Sequence, residues 1–235
     1  MQSNIRLEEL RDLVSHRAIE ETLRKLSSSF PGKIILTTSF GIEDQAITHI
    51  IFSNNIDIQV VTLDTGRLFP ETYKVFSQTI MKYKKSINVF FPDHKEVENM
   101  VNLKGPLSFY ESKENRIECC RIRKVVPLNR ALKGMECWIS GIRASQSDNR
   151  SHMSDLEYDT DKKLFKYHPL FNWSFEDVET FIKENNIPYN SLHDKGYLSI
   201  GCEPCTRPVI KGQDLRAGRW WWENDGPKEC GFHIK

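Results

Sequence analysis

No stretch of this 235-residue sequence is long and apolar enough to span a bilayer. Its opening, MQSNIRLEEL, is polar and acidic and lacks the apolar stretch of a secretory leader. The expectation is a cytoplasmic protein. A charge excess is also missing: 33 basic side chains face 32 acidic ones, a net charge of +1. That balance excludes a general nucleic-acid or membrane-surface binder and leaves local basic pockets open. There is no internal repeat and no low-complexity tract. Cysteine is scarce, with six in all. In a reducing compartment six thiols are expected as metal ligands or catalytic groups rather than disulfides.

What is present alternates. RLEELRDLV and AIEETLRKLSSSF carry apolar residues at helical spacing. GKIILTTSFG then reads as a buried strand entering a tight turn, and IEDQAITHIIF as a helix. IDIQVVTLDTG and FPETYKVFSQTIMKY repeat strand and helix; SINVFFP and KEVENMVNL follow in the same order. CCRIRKVVPLNRALKG is predicted helical despite Pro127, ECWISGI and KLFKYHPL are predicted strands, and SFEDVETFIKENN is a helix. RASQSDNRSHMSD reads as a polar loop. This alternation predicts an α/β fold with a parallel sheet. After about residue 190 the texture turns to Gly, Pro, Cys, Arg and Trp. Two parts are therefore expected: a nucleotide-binding α/β domain over 1–195 and an irregular appendage over 196–235, ordered by something other than an apolar core.

Four cysteines fall in two pairs, Cys119–Cys120 and the CEPC unit Cys202–Cys205. Four thiolates suit zinc or an iron–sulfur cluster. Adjacent ligands diverge, which suits a multi-metal cube better than one tetrahedral ion, so [4Fe–4S] is favoured. A thioredoxin-like dithiol is the redox alternative for CEPC. Cys137, in the apolar strand ECWIS, is expected to be a small buried hydrophobe. Cys230, in KECGFHIK, looks placed to be reached, with Lys228 and His233 beside it to lower its pKa or merely accompany it.

Two loops could bind anions. TTSFGIEDQ puts Thr38, Ser39 and Gly41 just before a helix, and LDTGRLFPE follows the next strand with Arg67 added. Two such loops on successive strand ends point to the crevice where parallel sheets bind ligands. Lys124 lies four residues after Cys120, on the same face of a helix; a solvated lysine in the run RIRK is the plain alternative. Arg216 and Arg219, in DLRAGRWWWE, can each make forked contacts to an oxyanion. The three tryptophans beside them suggest a partly dry setting.

Together, Cys119–Cys120 with Cys202–Cys205, LDTGRLFPETY, SGIRASQS, RAGRWWWE and ECGFH resemble the assimilatory sulfonucleotide reductases, in particular the cluster-containing adenylyl-sulfate (adenosine 5′-phosphosulfate) reductases. The resemblance runs from about Lys33 to the C-terminal residues. It implies an adenine-nucleotide α-hydrolase-like α/β sandwich related to PP-loop enzymes. It implies reduction of the activated sulfate to sulfite with release of AMP, and reduced thioredoxin as electron donor. Carried over, Cys230 is the nucleophile, and Cys119, Cys120, Cys202 and Cys205 hold [4Fe–4S]. Lys124, Arg143, Arg216 and Arg219 face the phosphosulfate, and Ser39, Leu63, Thr65 and Gly141 lie along the nucleotide. The four cysteines and Arg67 resemble members that use the substrate without a 3′-phosphate; a reductase of the 3′-phosphorylated substrate, or of both, is the alternative. Two departures stand out: Ala144 occupies the place of a frequent second basic residue, and Phe232 that of a frequent Leu.

Two rivals remain. PP-loop ATP-dependent enzymes usually carry an SGGxDS loop, and TSFGIED lacks the paired glycines. A zinc- or cluster-bearing nucleotide-binding protein without reductase activity would have no need of Cys230. The sequence leaves a homo-oligomer open.

Overall fold

A computed structural model describes residues 2–15, 18–210, 212 and 214–223. One sheet organises the chain. Its strands are β1 (Ile34–Thr38), β2 (Gln59–Leu63), β3 (Asn88–Phe90), β4 (Cys137–Ile139), β5 (Leu156–Asp159) and β6 (Leu164–Tyr167). They run in the order β3-β2-β1-β4-β6-β5. β4 pairs in parallel with β1 (Leu36 opposite Ile139) and with β6 (Cys137 opposite Phe165). Order reverses between β1 and β4, the kind of switch point where α/β sheets place ligands.

β5 is the strand that the sequence pattern does not announce. It is short, and it pairs antiparallel with β6. Its Glu157 and Asp159 meet Lys166 at 3.8 and 2.7 Å, so charge pairing across the hairpin does part of what apolar alternation does elsewhere.

The helices are α1 (Gln2–Val14), α2 (Ile19–Ser29), α3 (Ile42–Ser53), α4 (Pro70–Tyr83), α5 (His94–Lys104), α6 (Lys113–Cys120), α7 (Val126–Ala131), α8 (Asp148–Ser151) and α9 (Phe175–Glu184). Asp93 caps α5 by accepting from Lys95 and Glu96, and Ser174 caps α9 in a capping box with Asp177. α6 runs through a π-turn, Arg121–Val125, into α7. Pro127 explains the widening. Proline lacks the N–H for its own helical bond, and its ring crowds the carbonyl four residues back. In the π-turn the Val126 N–H reaches back to Arg121 instead.

The chain divides into two compact units. Unit 1 is 1–61, 74–88 and 134–190; unit 2 is 62–73, 89–133 and 191–235. Residues 196–223 thus belong to a unit that also includes the cysteine helix. Unit 1 holds the main apolar core, among it Leu23, Leu26, Ile34, Leu36, Ile47, Ile139 and Leu170. Unit 2 has its own cluster of Met100, Phe109, Cys119, Ile122, Cys202, Cys205 and Trp220. From the C-terminal stretch, Cys202, Cys205 and Trp220 pack into this cluster beside Met100, Phe109 and Ile122. Among the described residues, no helix is long and apolar enough to cross a membrane.

Candidate functional site

Unit 2 gathers the four cysteines. Cys119 and Cys120 close α6; Cys202 caps a one-turn 3₁₀ helix, Glu203–Cys205. All four line one cavity of about 310 Å³, counting space open to solvent, with Arg67, Phe109, Arg116, Arg123 and Lys124. Among the described residues no group of three or more His, Cys, Asp or Glu side chains is arranged to hold a metal ion. None of the four thiols is in a disulfide. Burial pushes the Cys119 thiol up, against the pull of Arg123, Arg67 and Lys124. Cys205 is pushed up to about 12 by burial and by Cys202, with Lys124 and Arg219 opposing. The thiolate form of this set therefore needs positive charge, and the cavity wall supplies it from Arg67, Arg123 and Lys124.

The LDTGR turn ties into this shell. Asp64 accepts from the Gly66 N–H at 2.8 Å and from the Tyr73 hydroxyl at 2.9 Å. Gly66 takes φ +69°, the left-handed region that suits glycine. The Thr65 hydroxyl lies 3.3 Å from Cys202 Sγ, and the Thr65 carbonyl accepts from Arg123 at 2.7 Å. The Arg67 carbonyl accepts from the Glu203 N–H, and Leu68 forms a bridge with Cys202. The Arg67 guanidinium stacks 4.9 Å from the Phe109 ring centroid and donates to the Pro106 carbonyl.

The RAGRWWWE stretch supplies the remaining cations. Arg219 is 5% exposed, bridges to Thr206 and sits 5.2 Å from the Trp220 ring centroid. Its guanidinium lies so close to Gly201 that a Cβ there would overlap it. Arg219 Nε has no hydrogen-bond partner among the described residues. Arg216 is half-buried, and its Nη1 lies 3.4 Å from Ser199 Oγ. Of the three tryptophans, Trp220 is buried, Trp222 packs edge-on to Tyr110 at 4.5 Å, and Trp221 is exposed.

Unit 1 carries the other predicted positions at the β1/β4 switch point. Asp44, in the first turn of α3, accepts from the Ser39 N–H at 2.7 Å and the Ser39 hydroxyl at 2.8 Å. It also bonds the Gly141 N–H. A carboxylate of the protein thus occupies the donors that Ser39 and Gly141 present. Burial, with the neighbouring Glu43 charge, raises Asp44 to about 6, although those three donors hold it down. A Cβ on Gly141 would come within 2.5 Å of Asp44 Oδ1 and 2.9 Å of Glu43 Cβ, so only glycine fits. Arg143, 2% exposed, pairs with Glu43 at 2.9 Å and donates to Ser145 at 2.7 Å. Phe40 takes φ +59°, the left-handed region that favours glycine. Its ring is buried and packs 4.8 Å from Phe76, which offsets that strain.

Within unit 2, then, Thr65, Lys124 and Arg219 stand by the cysteines, and Leu63 closes β2 half-buried. Within unit 1, Ser39 and Gly141 meet through Asp44, and Arg143 meets Glu43. Cys230, Lys228 and His233 lie outside the described residues. Cys137 is fully buried in β4, and burial pushes its thiol up to about 12, as a structural cysteine requires. Arg116 and Arg123 are site residues that motif reading misses. A signal for them exists in the spacing: 116, 119–120 and 123 share one helical face. Asp44 is missed because one acid in IEDQ looks like an ordinary first-turn helix charge.

The sequence matches the phosphoadenosine phosphosulfate reductase domain over residues 33–208. An adenosine 5′-phosphosulfate reductase of Agrobacterium fabrum is 45% identical over 203 residues, covering 86% of this chain and 78% of that protein. One of Allochromatium vinosum is 41% identical over 225 residues, covering 96% and 86%. Among solved structures, a phosphoadenylyl-sulfate (PAPS) reductase from Candida auris, in a phosphate complex, superposes with a TM-score of 0.74 at 28% identity. That match covers 86% of this chain and 96% of the other.

Proposed function

The chain belongs to the phosphoadenosine phosphosulfate reductase family, and on that premise we propose that it reduces adenosine 5′-phosphosulfate to sulfite and AMP in assimilatory sulfate reduction, with reduced thioredoxin as electron donor. The fold is the adenine-nucleotide α-hydrolase-like one expected from the resemblance. The observation that carries the reading is the joining of four thiols and a wall of cations on one cavity.

The chemistry balances through thiols alone. The Cys230 thiolate attacks the sulfuryl sulfur; a sulfur–sulfur bond forms, the sulfur–oxygen bond to phosphate breaks, and AMP leaves with that electron pair. Lys124, Arg216 and Arg219 stabilise the charge on the sulfuryl oxygens and on the departing phosphate. A thioredoxin thiolate then attacks Cys230 sulfur, expelling sulfite with the second electron pair, as in thiol–disulfide exchange. The second thioredoxin thiol resolves the mixed disulfide and returns Cys230 reduced. Thioredoxin is oxidised by two electrons and the sulfate sulfur gains them.

Cys119, Cys120, Cys202 and Cys205 would hold a [4Fe–4S] cluster. The donor set fits, since four thiolates are the usual ligands of such a cluster, and three wall cations offset their charge. When bound, the cluster supplies a cross-link between α6 and the CEPC turn and a fixed charge near the substrate. The choice of the substrate without a 3′-phosphate rests on the resemblance of the four cysteines and of Arg67, in LDTGR, to members that use it.

Turnover of the two sulfonucleotides with thioredoxin, alongside iron and sulfide analysis, tests this reading. Sulfite from adenosine 5′-phosphosulfate and a brown, iron-containing protein are expected. Preference for the 3′-phosphorylated substrate would overturn the substrate assignment, and stoichiometric zinc without iron would overturn the cofactor. Pyrophosphate release from ATP without sulfite formation would overturn the whole.

A further inference from the structure

Arg116 has no part in the chemistry above, yet it is among the most constrained side chains of unit 2. It lies on α6, three residues before Cys119, and is 6% exposed. Its guanidinium forks onto Glu223, with Nε at 2.8 Å and Nη2 at 2.9 Å from the two carboxylate oxygens. The same guanidinium stacks on Trp220, 4.5 Å from the ring centroid.

Trp220 is the unusual partner. Its backbone takes φ +41°, a region bulky residues rarely enter without being held there. Three things hold it: the residue is 1% exposed, its backbone N–H donates to the Cys205 carbonyl at 3.1 Å, and its ring carries the Arg116 stack. Arg219 immediately precedes it and rests on the same ring and against Gly201. The twist at residue 220 therefore sets the direction in which the Arg219 guanidinium points.

We propose that Arg116 is a positioning residue: forked onto Glu223, it holds Trp220 in its left-handed backbone and so aims Arg219 at the phosphate of the nucleotide. The proposal rests on the reading that Arg219 contacts that phosphate. A guanidinium suits this role better than an ammonium, because one planar group must fork to a carboxylate and stack on an indole together. A pair this buried is disrupted by losing one partner, which leaves the other charge uncompensated.

The test measures AMP and adenosine affinity of the iron-loaded protein by calorimetry or competition. Variants are Arg219→Ala, Glu223→Gln, and the exchange Arg116→Glu with Glu223→Arg. Adenosine lacks the phosphate, so it reports the rest of the site. Glu223→Gln is expected to weaken AMP about tenfold, as loss of one charged hydrogen bond does, and to leave adenosine unchanged. The exchanged pair should recover most of that loss. Where Glu223→Gln does not fold, Arg116→Lys carries the same test, keeping the charge and losing the fork. Equal weakening of AMP and adenosine would mean a merely structural ion pair and overturn the proposal. So would unchanged AMP affinity in Glu223→Gln when Arg219→Ala weakens it. Unchanged AMP affinity in Arg219→Ala would instead remove the contact on which the reading of Arg219 depends.

Discussion

Asp44→Asn should flatten the pH dependence of stability between about pH 4.5 and about pH 7.5. The sign follows from the environment. In the folded chain Asp44 keeps its proton up to about pH 6, whereas the unfolded carboxyl releases it near 3.8. Between those values the folded state binds more protons, so stability is lost as pH rises. A tenfold difference in proton affinity between folded and unfolded carboxyl is worth about 1.4 kcal/mol, and the interval from about pH 4.5 to about 7.5 captures about 2 kcal/mol of the total. Denaturant unfolding of the wild type and Asp44→Asn at several pH values is the assay. The variant is expected to be less stable at low pH, because an amide NH₂ opposes one of the donors (the Ser39 N–H and hydroxyl and the Gly141 N–H) that Asp44 now satisfies. Its deficit should shrink by about 2 kcal/mol as pH rises across that window. Parallel curves for the two proteins would refute the assignment of a raised, buried carboxyl at the switch point.

Other perturbations separate the two units. Gly141→Ala should cost about 1–3 kcal/mol by forcing the SG loop off α3, read as a lowered unfolding midpoint with the iron content unchanged. Gly201→Ala must displace the Arg219 guanidinium; AMP affinity should fall while adenosine affinity holds. Cys205→Ser is expected to abolish the brown chromophore and loosen the cluster around Phe109 and Trp220, whereas Cys137→Ala, in the unit 1 core, keeps both colour and turnover.

Much of the fold is legible in local pattern. The strands GKIILTT, QVVTL and ECWIS are runs of β-branched and apolar residues, and each helix with a clear apolar stripe forms where the stripe lies. β5 is invisible because its pairing depends on Lys166, outside its own sequence. The π-turn is invisible because it answers a proline six residues after Arg121. At the site, the four cysteines are legible by type and spacing, and the structure places them around one cavity. Arg116 and Arg123 are marked only by sharing a helical face with the cysteines, because an arginine inside a charged helix looks solvated until its partner is known. Glu223, more than a hundred positions away, turns Arg116 into a buried fork. Thr65 illustrates the limit of motif reading: the motif locates it in a ligand loop, while its hydroxyl lies against Cys202.

In the proposed reaction one thiol of this chain, Cys230, takes the sulfuryl group. Single turnover with adenosine 5′-phosphosulfate and no thioredoxin, followed by mass spectrometry of the digested protein, tests it directly. About one AMP released per chain is expected, with one SO₃ adduct on the Cys230 peptide, absent in Cys230→Ser and removed as sulfite when reduced thioredoxin is added. Release of AMP and sulfite by Cys230→Ser, or an adduct on any other cysteine, would contradict it.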